Sequence, residues 1–138
     1  GSFQYPSMNS LNHYAYGAIG EWIYANLMGL KISEETPGYK RFIIEPLFDK
    51  NFDHVDGSFD SQYGRIGVEW TRKNGKLQLF MEIPSNTSSD VVLNKPMDGN
   101  WKLDNTKLNN TILKRVDTKV QTILLLGSGK YNFSFVAN

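Results

Sequence analysis

The chain has no cysteine among its 138 residues, which excludes disulfides, thiolate metal sites and a cysteine nucleophile. It lacks an excess of either charge as well: 15 basic residues stand against 14 acidic ones, for a net charge of +1. A nucleic-acid binder would concentrate positive charge on one face, so no nucleic acid is expected as a partner. Long apolar runs are also missing. Ile123-Leu124-Leu125-Leu126 falls far short of the ~20 residues that span a bilayer, and no membrane partner is expected. Histidine is scarce, with only His13 and His54, which are far apart in the sequence. Asp49, Asp53, Asp56 and Asp60 do not have the spacing of an EF-hand loop. No metal and no cofactor are therefore expected. No Gly-rich phosphate loop follows a strand, and no nucleophile-elbow motif supports a serine triad.

One stretch reads as a helix. Apolar residues fall at Leu11, Ala15, Ala18 and Trp22, and again at Tyr16, Ile19, Ile23, Leu27 and Leu30. Both rows step by three or four residues, the repeat of an α-helix, and predict a helix from about Asn9 to Leu30. Asn9 or Ser10 supplies an N-cap, and Gly29 and Pro37-Gly38 supply stop signals. Two apolar rows on different sides leave little polar face, the pattern of a helix enclosed by other helices. Lys31 to Gly38 reads as a linker.

From Tyr39 onward the character changes to short runs of Val, Ile, Phe, Tyr and Trp between Gly, Asn, Asp and Pro. That alternation predicts an antiparallel β-domain. Its best-defined element is a hairpin at Lys73-Asn74-Gly75-Lys76, because Asn-Gly tolerates the positive φ of a type I′ turn. A two-residue loop pairs Trp70 with Leu79, Val68 with Met81 and Ile66 with Ile83, putting three apolar pairs on one face. Further strands are expected at Arg41 to Leu47, Val55 to Ser61, Ser89 to Leu93, Lys119 to Leu126 and Lys130 to Val136. In the last, Tyr131, Phe133 and Phe135 share a face. Met97 to Asn110 reads as a polar, turn-rich stretch anchored by Trp101 and Leu108. Seven or eight short strands at this spacing predict a β-sandwich of jelly-roll type.

Several motifs carry a resemblance. Gly1-Ser2-Phe3-Gln4, then Met8-Asn9-Ser10-Leu11-Asn12-His13-Tyr14-Ala15-Tyr16-Gly17-Ala18, then Glu21-Trp22 resemble the last segment of the catalytic barrel in bacterial α-L-rhamnosidases. Pro37-Gly38-Tyr39-Lys40, Ile43-Ile44-Glu45-Pro46, Ser58-Phe59-Asp60-Ser61-Gln62-Tyr63-Gly64-Arg65-Ile66, Glu69-Trp70 and Ile83-Pro84-Ser85-Asn86-Thr87 follow in the family's order. The likeness spans roughly residues 1 to 95; residues 96 to 138 match only in general character. In that family an (α/α)6 barrel hydrolyses terminal α-L-rhamnosyl residues and an all-β domain follows it. The resemblance therefore implies a carboxy-terminal fragment, with barrel helix and linker in 1–36 and a β-sandwich in 37–138. In a fragment, the absence of a secretory leader assigns no compartment. A helix deprived of its barrel is expected to self-associate, fold back on the sandwich or fray.

His13 is the sharpest candidate for chemistry. Near a helix start the dipole disfavours a positive imidazole, and a neutral ring offers one donor and one acceptor to a sugar hydroxyl. The residues alone favour a structural histidine tying the helix start to a neighbour. The resemblance favours a substrate contact, because the histidine of this Asn-His-Tyr motif belongs to the family's sugar site. Glycoside hydrolysis needs two carboxyl groups flanking the bond. The resemblance implies an inverting pair of glutamates, both upstream of Gly1, so no catalytic residue is expected within the chain. Glu21, Glu34, Glu35, Glu69 and Glu82 form no pair by spacing. The implied partner is a rhamnose-containing glycan or glycoside, bound through the parent protein. A different reading makes the β-domain a carbohydrate-binding or interaction module, with Trp70, Trp101, Tyr39, Tyr63 and Phe59 as a stacking platform. Core packing is favoured for Trp70, which belongs to the apolar face of the hairpin, and for Trp101.

Overall fold

The structure, a computed structural model, describes residues 28–32, 39–104 and 111–138. The helix expected from Asn9 lies outside the described residues up to its last turn. Leu30, expected to close it, is in a strand instead: β1 (Leu30–Ile32) pairs antiparallel with β2 (Arg41–Ile44). Leu30–Ile32, expected to belong to helix and linker, are thus part of the first sheet. Gly29 does mark a break, at φ 69°. A Cβ there would stand 1.7 Å from the Glu45 carbonyl oxygen, so only glycine lets the two segments approach this closely.

The other strands are β3 (His54–Ser61), β4 (Gly64–Lys73), β5 (Lys76–Ile83), β6 (Ser88–Asn94), β7 (Gly99–Leu103), β8 (Ile112–Asp117), β9 (Gln121–Leu126) and β10 (Gly129–Ala137). They form two five-stranded sheets, ordered β1-β2-β6-β9-β8 and β3-β4-β5-β10-β7. The described residues are thus mainly β and fold as a two-sheet sandwich, but one that is not wholly antiparallel. β2 and β6 run parallel, pairing Phe42 with Ser89 and Ile44 with Val91. Between them the chain crosses to the second sheet, builds the meander β3-β4-β5 and returns in its original direction.

The predicted hairpin is present. Asn74 and Gly75 have φ of 53° and 75°, the double positive φ of a type I′ turn, and Lys73, Trp70 and Val68 pair with Lys76, Leu79 and Met81. The ladder stops at Gly67–Glu82, one step short of the expected Ile66–Ile83 pair. Alternation then builds the core. Phe42, Ile44, Val91, Leu93, Leu124 and Leu126 of the first sheet face Ile66, Val68, Trp70, Leu79, Met81 and Phe133 of the second, all buried in one cluster. At ~1.5–3 kcal/mol for each large apolar side chain taken from water, this cluster supplies the main drive to fold.

Two further strands were not foreseen. β7 runs through the stretch read as turns: Gly99 and Trp101 point inward while Asn100 and Lys102 point out. Trp101 is only 1% exposed, and its indole N–H donates to the Asn94 carbonyl at 3.2 Å. β8 is the edge of the first sheet and lies exposed over most of its length. The sheets are tied at one end by Tyr131 of β10. Its hydroxyl lies 2.8 Å from the Thr111 carbonyl and 2.6 Å from that of Gly127, and accepts from the Thr111 N–H at 2.9 Å. Phe48 packs against both Trp70 and Trp101, with ring centroids 5.4 and 5.2 Å away.

Candidate functional site

His13 and its Asn-His-Tyr motif lie outside the described residues. Within them, the polar side chains converge on the outer face of the second sheet. The cause is the two-residue period of a strand. Val55 is buried, so His54 and Asp56 point outward; Val68 and Trp70 are buried, so Glu69 points outward too. Register then aligns these positions into rows. Asp56, Glu69, Phe80 and Asn132 lie side by side across β3, β4, β5 and β10. The neighbouring row is His54, Thr71, Gln78, Ser134 and Lys102.

Where these rows meet β3, the imidazole of His54 reaches the Glu69 carboxylate, with Nε2 and Oε2 2.9 Å apart. Asp56 joins them: one ligand-type atom from each of His54, Asp56 and Glu69 lies within 4.8 Å of the others. Next to the cluster is a shallow depression of about 240 Å3, lined by Glu69, Thr71, Gln78, Phe80 and Asn132. Spacing in the sequence pairs Glu69 with nothing. The available signal was His54-x-Asp56, two chemistry-bearing residues on one face. Glu69 joins them only through the β3–β4 register, which no Asn-Gly turn announces.

A second cleft, of about 500 Å3, opens at one end of the same sheet. It brings together two of the motif runs, Tyr63-Gly64-Arg65 and Ile83-Pro84-Ser85, with Ser128 and Lys130. Arg65 and Lys130 supply donors and Glu82 an acceptor, a set that can hold hydroxyl groups or a facing polar surface.

Neither place has the form of an inverting glycosidase centre. An inverting pair needs ~6.5–9.5 Å between its carboxyl groups to admit the attacking water. Asp56 and Glu69 approach within 4.8 Å and stand on an open sheet face. The aromatic platform does not form either. Trp70 is 0% exposed and Trp101 1%, while Tyr39 and Phe59, half-buried, pack on each other with centroids 4.8 Å apart. Among the described residues no helix is long and apolar enough to cross a membrane.

Comparison with known proteins agrees with this architecture. Residues 29–107 match the family model of the bacterial alpha-L-rhamnosidase C-terminal domain. An alpha-L-rhamnosidase of Streptomyces avermitilis is 33% identical over 134 residues, covering 97% of this chain and 12% of the relative. One from Formosa agariphila is 34% identical over 133 residues, covering 95% of this chain and 14% of the relative. Among solved structures, the S. avermitilis alpha-L-rhamnosidase complexed with L-rhamnose superposes with a TM-score of 0.66 at 28% identity, over 96% of this chain and 12% of that one. An alpha-L-rhamnosidase from Dictyoglumus thermophilum shares the fold, with a TM-score of 0.70 at 20% identity, over 90% of this chain and 14% of that one. The chain thus spans 12 to 14% of the length of these relatives.

Proposed function

The chain belongs to the family of bacterial α-L-rhamnosidase C-terminal domains, and from that premise we propose that it is the carboxy-terminal part of an inverting glycoside hydrolase that removes terminal α-L-rhamnosyl residues. The observation that carries the reading is the family match over residues 29–107, which falls on the sandwich itself. In this reading the sandwich is structural, and the catalytic carboxyl pair is contributed by parts of the parent protein outside this chain. The acids on the described sheet faces support that division, since Asp56 and Glu69 are too close for an inverting pair. Residues preceding the sandwich form the last helix of an (α/α)6 barrel, and that helix presents His13 to the sugar. Burial of Trp70 and Trp101 favours this structural role over glycan binding by the sandwich.

The test is His13→Ala in the parent enzyme. Losing a hydrogen bond to a sugar hydroxyl costs a net ~0.5–1.5 kcal/mol, or up to about 3 if a buried partner is left unsatisfied. That is roughly a 2- to 150-fold loss in kcat/KM, with the melting temperature little changed. Loss of a catalytic carboxyl costs on the order of 10²–10⁴ for general acid–base work alone, so the size of the defect separates the roles. Full kcat/KM with reduced stability makes His13 structural and removes the substrate contact from the proposal.

A further inference from the structure

We propose that His54, Asp56 and Glu69 form a binding site for a divalent first-row transition-metal cation, of which Zn2+ is the type, on the outer face of the second sheet. The donor set comes first. One imidazole nitrogen with two carboxylate oxygens suits zinc and its neighbours, whereas calcium and magnesium favour all-oxygen sites. Spacing is the second argument. Two adjacent ligands bound at ~2.0–2.1 Å stand about 2.8–3.4 Å apart, the shorter end octahedral and the longer tetrahedral. His54 Nε2 and Glu69 Oε2 are already 2.9 Å apart, and an Asp56 oxygen lies within 4.8 Å of both. A modest rotation of the Asp56 carboxylate completes a three-ligand face. All three residues sit on paired strands, which hold a site more closely than loops do.

Charge supplies an independent argument. Asp56 and Glu69 are direct cross-strand partners, and like charges in that position are destabilising. Among the described residues no Lys or Arg makes an ion pair with either carboxylate; the only basic partner is His54, on Glu69. A bound cation answers both carboxylates at once. The side facing the depression beside Glu69 stays open, so water completes the coordination there. Neither this site nor its test depends on the glycosidase reading.

The test is a Zn2+ titration of the full 138-residue chain, followed by calorimetry and by the imidazole nitrogen resonances of its two histidines. The expected result is saturable movement of the His54 signal at a single equivalent, with no such movement in equal Ca2+ or Mg2+. Loss of even an outer-shell partner of a metal ligand costs about 10–100-fold in affinity, so Asp56→Asn and Glu69→Gln should each weaken Kd at least about tenfold. His54→Ala should abolish the binding, and His13→Ala should leave the His54 titration unchanged. These side chains are on the surface, and circular dichroism verifies that the variants fold. The proposal is overturned if His54 does not move under excess Zn2+, if His54→Ala binds with unchanged Kd, or if both carboxyl variants bind as tightly as the parent chain.

Discussion

Removing a single oxygen from Tyr131 tests how the two sheets are held together. The ring is fully buried and its hydroxyl reaches residues at the ends of β8 and β9, in the sheet opposite its own strand. One hydroxyl proton serves one carbonyl at a time, Thr111 or Gly127, while the oxygen accepts from the Thr111 N–H. Tyr131→Phe therefore removes about two hydrogen bonds. At a net ~0.5–1.5 kcal/mol each, the loss is about 1–3 kcal/mol, and exposure of Thr111 lets water recover part of it. At ~4 °C per kcal/mol for a domain of this size, the thermal midpoint should fall by about 4–12 °C. A second signature follows from titration. Burial raises the Tyr131 pKa above its ordinary value, against the smaller opposing effect of the Thr111 N–H. The unfolded phenol ionises first, near pH ~10, so stability is fully present below that pH and is lost as pH rises toward the higher folded value. Thermal melts by circular dichroism from neutral to alkaline pH should show that loss in the parent chain and less of it in Tyr131→Phe. A variant melting within about 1 °C of the parent at neutral pH, with the same alkaline limb, would refute the inter-sheet tie.

Three further perturbations separate causes that are easily confused. Gly29→Ala and Gly75→Ala both force a side chain onto positive φ, but a Cβ at Gly29 meets the Glu45 carbonyl at 1.7 Å while one at Gly75 meets nothing within 4 Å. Chemical denaturation should give ~1–2 kcal/mol for the turn position and a clearly larger loss for Gly29; equal losses would contradict the close approach. Arg72 donates to the carbonyls of Phe48, Asp49 and Phe52 at 2.9–3.0 Å and lies 5.4 Å from the Trp70 ring centroid. A lysine cannot reproduce that planar fork, so Arg72→Lys should cost ~2 kcal/mol and speed hydrogen exchange across 48–53; unchanged exchange there would remove the latch. The Asp117 pKa is lowered chiefly by its hydrogen bond from Arg115, with burial opposing and Thr122 assisting. Its stabilisation is present above the unfolded value of ~3.9 and is lost as pH falls through the lower folded value. Acid-induced unfolding should therefore be less steep in Asp117→Asn, and an identical acid limb would show that the pair contributes nothing.

What was legible in the sequence follows from where local and long-range physics agree. In the β4–β5 hairpin, turn chemistry and side-chain period select the same register, and the strands pair as expected from Lys73 back to Val68. Tyr131, Phe133 and Phe135 alternate inward as read. β7 was hidden because Asp98-Gly99-Asn100 resembles a turn, although Trp101 and its neighbours carry the period of a strand. β8 was hidden for a different reason. At a sheet edge, exposed on both faces, Leu113 and Val116 alternate with nothing. The parallel pairing of β2 and β6 joins residues 47 apart in sequence, such as Phe42 and Ser89, and no local pattern encodes it. The cluster of His54, Asp56 and Glu69 is half legible, with two residues from strand period and the third from the register of an unmarked turn.

The most direct measurement is the α-L-rhamnosidase activity of the 138-residue chain by itself, followed with a chromogenic α-L-rhamnoside. A carboxy-terminal domain whose catalytic carboxyls belong to another part of its parent should give no turnover above background. Turnover that co-purifies with the chain and is abolished by Glu69→Gln, or by removal of any other of its own acids, would contradict the account.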